Sequence, residues 1–202
     1  MVNIENYGDF KSVGKNKKKR QIILTHTSRE VEEYLTSLKF RYNGKYDKIP
    51  NFLITKDGRV LQLLSEIEYS NYFTNKSINK NSIIISLENL GWLEKKSLTN
   101  YYINWKGSIY NQQVYEKKWR DFFFWDVYSD NQLTSLSELC FKMVELFNIP
   151  KKCVGHNTKI DGIEKFDGIV TRSNFESHFT DLNPSFNFEN FIKLLENEQL
   201  AQ

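Results

Sequence analysis

Residues Val154 to Phe188 read VGHNTKIDGIEKFDGIVTRSNFESHFTDLNPSFNF, and the fold turns on what this stretch is for. Its asparagines, glycines and Pro184 favour an ordered loop over a helix or a central strand. It holds two of the chain's three histidines, His156 and His178, together with Asp161, Asp167 and Asp181. Such side chains on a loop held by a scaffold mark a candidate site. The third histidine, His26, ends an apolar run far upstream, so a site needs a fold that carries it to this loop.

Immediately before the stretch, Leu133, Leu136, Leu139, Cys140, Met143, Val144 and Phe147 form a helical stripe. Asp130 or Ser129 can cap it, and it ends before Pro150. Lys152 to Gly155 then predicts a short strand that delivers His156. After the stretch, Phe188 to Asn197 predicts a closing helix with Phe191, Leu194 and Leu195 inward. In the first half, QIILT (Gln21 to Thr25) reads as a buried strand ending at His26. Ser28 is placed to cap a following helix, with Glu30, Glu32 and Glu33 in its first turns and Val31, Tyr34, Leu35 and Leu38 on one face, to near Phe40. FLIT, Asp57-Gly58 and RVLQLL predict a β-hairpin, with Asn51 leading in. NSIIISLE (Asn81 to Glu88) predicts a central strand with Ile83, Ile85 and Leu87 on one face and Ile84, Ser86 and Glu88 on the other.

Trp92, Trp105, Trp119 and Trp125 all fall between Gly91 and Trp125, and YYINWKGSIYNQQVYEKKW predicts a second hairpin turning near Lys106 to Ser108. It reads as an insertion, about residues 92–126. Its aromatics suit either stacking on sugar rings or packing the hairpin onto the body.

At 202 residues with 40% hydrophobic content, one domain with its own core is expected. The expected class is α/β: a single domain, residues 20–202, with a mixed central sheet flanked by helices and an aromatic-rich hairpin insertion, after a polar lead-in over 1–19. Net charge is +3, concentrated at Lys15, Lys17, Lys18, Lys19 and Arg20. This run suits an anionic polymer or is simply a solvated lead-in. No nucleic-acid module follows it, so no nucleic-acid partner is expected. Cys140 and Cys153 read as core packing rather than a disulfide framework. No charged start with an apolar stretch marks a signal peptide, and no run approaches the ~18 apolar residues of a membrane span, so cytoplasmic synthesis without stable membrane insertion is expected.

His26, His156 and Asp181 offer two imidazoles and a carboxylate. Three protein ligands with an open fourth position is the pattern of a catalytic zinc site. Isolated histidines are also ordinary hydrogen-bonded residues, and so wide a separation in sequence is no motif by itself.

The order of elements, with ILTHTS at His26, SIIISLEN, the long helix, Val154-Gly155-His156 and TDLNPSFNF (Thr180 to Phe188), resembles the zinc-dependent N-acetylmuramoyl-L-alanine amidases of the amidase-2 family. That family includes phage endolysins and peptidoglycan-recognition proteins, and the resemblance spans roughly residues 20–197. It implies Zn²⁺ held by His26, His156 and Asp181, and hydrolysis of the amide between N-acetylmuramic acid and L-alanine. Zinc would lower the pKa of bound water toward ~7 and polarise the amide carbonyl.

The family's lysine, two residues before the third ligand, is replaced by Phe179, so the resemblance directs the search for a catalytic cation to Arg172 or His178. Arg172 is favoured because it stays charged at any working pH. The family's strand glutamate falls at Ser86, with Glu88 two residues on and on the same face. Asn51, Ser86 and Thr180 are expected at the substrate. The implied partner is peptidoglycan or a muropeptide, bound by a monomer. The implied setting is a phage lytic amidase that reaches the wall after release or from a virion. A muropeptide-recycling cytoplasmic amidase and a non-catalytic recognition module of the same fold are the alternatives.

Overall fold

Two six-residue runs, Gln21–His26 and Ser82–Leu87, are buried at every residue, and the main sheet is built around them. The computed structural model describes residues 2–8, 10–96 and 101–197. Met1 and Asp9 of the expected lead-in, residues 97–100 of the expected insertion and residues 198–202 lie outside the described residues.

The strands in chain order are β1 (Ile4–Asn6), β2 (Gly14–Lys15), β3 (Gln21–His26), β4 (Phe52–Ile54), β5 (Val60–Gln62), β6 (Glu68–Tyr69), β7 (Ser82–Leu87), β8 (Trp92–Lys95), β9 (Tyr102–Asn104), β10 (Ile109–Tyr110), β11 (Val114–Trp119), β12 (Phe122–Asp126) and β13 (Gly168–Thr171). The α-helices are α1 (Val31–Phe40), α2 (Lys76–Asn81), α3 (Asp130–Phe147) and α4 (Phe188–Asn197). The main sheet has the order β1-β5-β4-β7-β3-β13. It is mixed: β4 and β5 are antiparallel, as the hairpin predicts, while β4 runs parallel to β7, β7 to β3 and β3 to β13. Gly58 takes φ 90° in the hairpin turn, a conformation glycine adopts without steric cost.

Alternation along β3 and β7 divides the core. Ile22, Leu24, Ile83, Ile85 and Leu87 pack with α3 and α4, whereas Ile23 and Ile84 pack with Tyr72, Phe73, Ile163 and Val170. The stripe on α1 packs separately against Leu53, Leu61, Leu63 and Leu64. Helix α3 starts with a capping box between Ser129 and Gln132, in which each side chain satisfies an amide the helix leaves unbonded.

Several expectations are corrected. Ser28 does not cap α1; it has φ 54°, and the Val31 amide donates instead to Glu88 Oε1 at 3.0 Å. The insertion is more than a hairpin: β8 to β12 form a five-stranded antiparallel sheet, with Trp125 fully buried and Trp92 stacked on Phe122. The lead-in contributes β1 and β2 to sheets. The basic run is not uniformly solvated, since Lys19 is 4% exposed. Its ammonium donates to the carbonyls of Glu68, Lys80 and Ser82.

The largest correction falls in the stretch from Val154 to Phe188. Lys152 to Gly155 does not form the expected strand; only an isolated bridge joins Cys153 to Ile169. The strand beside β3 is β13, which pairs Thr171 with Leu24. Arg172 therefore follows at the sheet's end, next to the His26 end of β3.

Candidate functional site

Thr25 and His26 are consecutive on β3, so their side chains leave opposite faces. The Thr25 hydroxyl donates to the Asp181 carboxylate and lies 3.2 Å from the Tyr72 hydroxyl. On the other face, His26 Nδ1 lies 3.2 Å from the Tyr128 hydroxyl. The opposite edge of the imidazole faces Gly91, where a Cβ would come within 3.4 Å of Cε1 and 3.6 Å of Nε2. Burial pushes the His26 imidazole down to about 4 despite the nearby Asp181 carboxylate. The ring is accordingly neutral at ordinary pH.

Arg172 and Asp181 form the electrostatic centre of this region. The Arg172 Nε–H is shared by both Asp181 oxygens, at 3.0 and 2.9 Å. The guanidinium also lies 4.0 Å from the Phe179 ring centroid and 5.9 Å from that of Tyr72. Burial alone would raise the Asp181 carboxyl, but Arg172, His26 and the Thr25 hydroxyl outweigh it and hold the group below the usual carboxylate range. Burial likewise opposes charge on Arg172, and Asp181 reverses that. Asp181 is fully buried while the Arg172 side chain keeps 23% of its surface exposed, so the cation is the member of the pair that a ligand can touch.

Two loops converge here, and the insertion ties down both. Ser173 Oγ donates to the carbonyls of Phe179 and Asp181, fixing the turn between the two charged residues. Arg120, at the turn between β11 and β12, donates to the Phe179 carbonyl. Trp105 Nε1–H donates to the Ser28 carbonyl at 2.7 Å, just beyond β3. Arg29 stacks on the Trp105 ring at 4.8 Å. The insertion thus braces the segment after His26 and the segment before Asp181.

The remaining predicted residues are placed as follows. His156 is exposed, and its Nδ1 accepts from the Thr158 amide at 3.2 Å. His178 has 67% of its side chain exposed and pairs with Glu176 at 3.3 Å. Both Glu88 oxygens are taken by backbone amides, those of Val31 and Lys56. Asn51 is 1% exposed; its side chain accepts from the Ile84 amide and donates to the carbonyls of Ser65 and Glu68. Ser86 is fully buried beside the Tyr34 hydroxyl. Thr180 is half-buried next to Asp181. Of the nine residues singled out from the sequence, the structure brings His26, Arg172 and Asp181 to one end of the sheet, and puts Glu88 and Asn51 to structural use.

Thr25, Tyr72, Tyr128 and Arg120 were not singled out from the sequence. Thr25 had a signal, because its neighbour His26 was already placed at the strand end and alternation assigns Thr25 the other face. The tyrosines and Arg120 come from distant segments, and only tertiary packing brings them here.

A zinc ion does not fit the side chains as placed. Among the described residues, no group of three or more His, Cys, Asp and Glu is positioned to hold a metal. Asp181 already bonds Arg172 and Thr25, His26 Nδ1 faces Tyr128, and His156 points to solvent.

Several solved structures are similar to this chain in fold. N-acetylmuramoyl-L-alanine amidase LysC from Clostridium intestinale URNW is similar at 13% identity over 97% of this chain and 99% of that one, with TM-score 0.59. The Staphylococcus aureus hydrolase AmiA, solved with its ligand, is similar at 10% identity over 98% and 84%, with TM-score 0.61. The Ph2119 endolysin of the Thermus scotoductus MAT2119 bacteriophage is similar at 13% identity over 96% and 99%, with TM-score 0.51. No curated protein sequence matches the chain. The family model for N-acetylmuramoyl-L-alanine amidase matches residues 15–167, and the chain belongs to that family of amide hydrolases.

Proposed function

We propose that this chain acts on peptidoglycan at the amide between N-acetylmuramic acid and L-alanine, engaging the muramoyl peptide at the sheet end formed by Thr25, His26, Arg172 and Asp181. Family membership supports the reaction, and the partly exposed Arg172 over a buried carboxylate is the observation that carries the location. A fixed guanidinium can bind a peptide-stem carboxylate or polarise an amide carbonyl. Neutral His26, held by Tyr128, can exchange a hydrogen bond but brings no charge. The braced loops on either side keep these groups in place while a substrate binds.

Zinc dependence is what the resemblance implies, and the donors as placed argue against it, so no step is assigned to a metal. The phage setting is part of the proposal: a lytic enzyme acting as a monomer on the cell wall suits the endolysin-like fold. Incubation of the purified chain with sacculi tests the reaction. Release of new L-alanine amino termini is expected, and its complete absence over a wide range of enzyme concentration would remove hydrolysis from the account.

A second reading is recognition of muropeptide without turnover. Two observations favour it: both oxygens of Asp181 are occupied, and Ser86 stands buried where the resemblance expects a glutamate. Saturable binding to sacculi with no amino termini released would select it.

A further inference from the structure

We propose that Arg172 is the built-in counter-cation of Asp181, so that this amidase domain keeps no structural or catalytic metal ion at the end of β3. The inference rests on the reading that this sheet end is the functional site, and it goes beyond that reading by assigning the source of positive charge there.

Three placements carry it. The strand beside β3 is β13, and it delivers Arg172, not a histidine, to the end of the sheet. The Arg172 Nε–H is shared between both Asp181 oxygens at 3.0 and 2.9 Å, and the Thr25 hydroxyl supplies a further bond. The carboxylate is thereby neutralised and its acceptor sites largely used. A divalent ion bound to Asp181 would have to displace a guanidinium that Phe179 covers on one face at 4.0 Å, or share the carboxylate with it and meet its repulsion. The other donors do not converge. His26 leaves β3 on the face opposite Thr25 and meets Tyr128 at Nδ1. His156 is exposed, with Nδ1 taken by the Thr158 amide.

The consequence is a site whose positive charge needs no loading. Where a metal site binds its ion only once its ligands have lost their protons, Arg172 is charged at all working pH. Its charge is held in place by the fold itself through Ser173, Phe179 and Arg120.

The test uses the chain of residues 1–202 as it stands. The protein is equilibrated with excess Zn²⁺, freed of unbound ion by gel filtration, and its metal content is measured; in parallel its thermal midpoint is recorded with Zn²⁺ and with EDTA. The expected result is well below one zinc per chain and the same midpoint in both solutions. One zinc per chain, with a midpoint raised by roughly 5 °C or more as ligand linkage requires for a tight site, would overturn the inference if Asp181→Asn or His156→Ala abolishes it. A zinc retained in both variants lies elsewhere and leaves the sheet end metal-free, as proposed. Metal content is read without reference to hydrolysis. A metal-free chain that releases no L-alanine sustains this inference while removing the hydrolytic reading, and a chain that hydrolyses only with stoichiometric zinc at Asp181 does the reverse.

Discussion

Arg172 Nε lies 3.0 Å from one carboxylate oxygen of Asp181 and 2.9 Å from the other, and Asp181 has no exposed surface. The two residues come from the end of β13 and the loop that follows it, so the pair joins the last strand of the sheet to the segment leading into α4. Removing one partner leaves the other buried without its counter-charge.

Arg172→Met is therefore expected to destabilise the fold by about 3–5 kcal/mol, the usual cost of orphaning one member of a buried pair. Asp181→Leu combined with Arg172→Met is expected to recover part of that loss, because neither charge then remains. Denaturant unfolding of the two variants beside the parent measures both effects. A single Arg172→Met variant as stable as the parent would show that the pair is not formed.

Glu88→Ala is expected to cost about 1–2 kcal/mol, the scale of a lost helix cap and a backbone acceptor. Glu88 accepts from the first amide of α1 and from Lys56, 2.8 Å away, so its removal frays the start of α1. Muropeptide affinity is expected to hold once the variant is folded. Titration of the folded variant with muropeptide checks this, and a large loss of affinity at unchanged stability would return Glu88 to the site.

Asn51→Ala removes one acceptor and two donors that join β4, β7 and the loop before β6. Each buried partner left unmatched costs about 1–3 kcal/mol. A strongly lowered thermal midpoint is expected, with the remaining folded protein binding ligand normally. An Asn51→Ala protein of parental stability with weakened binding would instead support a substrate role.

Lys19 gives a pH signature away from the site. Burial lowers its ammonium to about 8, with Glu66 pulling the other way. Its folded pKa thus lies below the unfolded value near ~10.5, so the unfolded chain binds more protons between those two limits, and stability rises with pH there. Relative to Lys19→Met, the parent is expected to gain stability as pH rises from about 8 toward 10.5. Denaturation curves for both proteins across that window would show the gain, whereas a flat difference would place the ammonium in solvent.

The fold was legible where periodicity and burial agree. QIILT and SIIISLE announce strands because short, β-branched apolar runs suit burial on both faces, and the stripe from Leu133 to Phe147 announces a helix because its spacing fixes which face is buried. The site was half legible. His26 is placed by its strand end, Asp181 by its loop and the resemblance, and Arg172 only by the resemblance, as a replacement for the lysine that Phe179 displaces. The pairing of β13 with β3 was not legible, because GIVT is a four-residue strand inside a stretch dominated by turn formers, and the competing VGH segment offered a histidine where one was expected. Glu88 and Asn51 were open to two readings for a related reason. A polar side chain at a strand end is equally suited to substrate and to orphan backbone amides, and only the packed structure shows which it meets.

The measurement that bears most directly on the account is a titration of the metal-free, isotopically labelled chain with a soluble muramoyl peptide, followed by backbone amide resonances. Saturable shifts centred on Thr25, His26, Arg172 and Asp181 are predicted, whether or not the peptide is turned over. A titration that leaves those amides unmoved, or that shifts them only after zinc is added, would contradict the claim that Arg172 and Asp181 form the working centre of this domain.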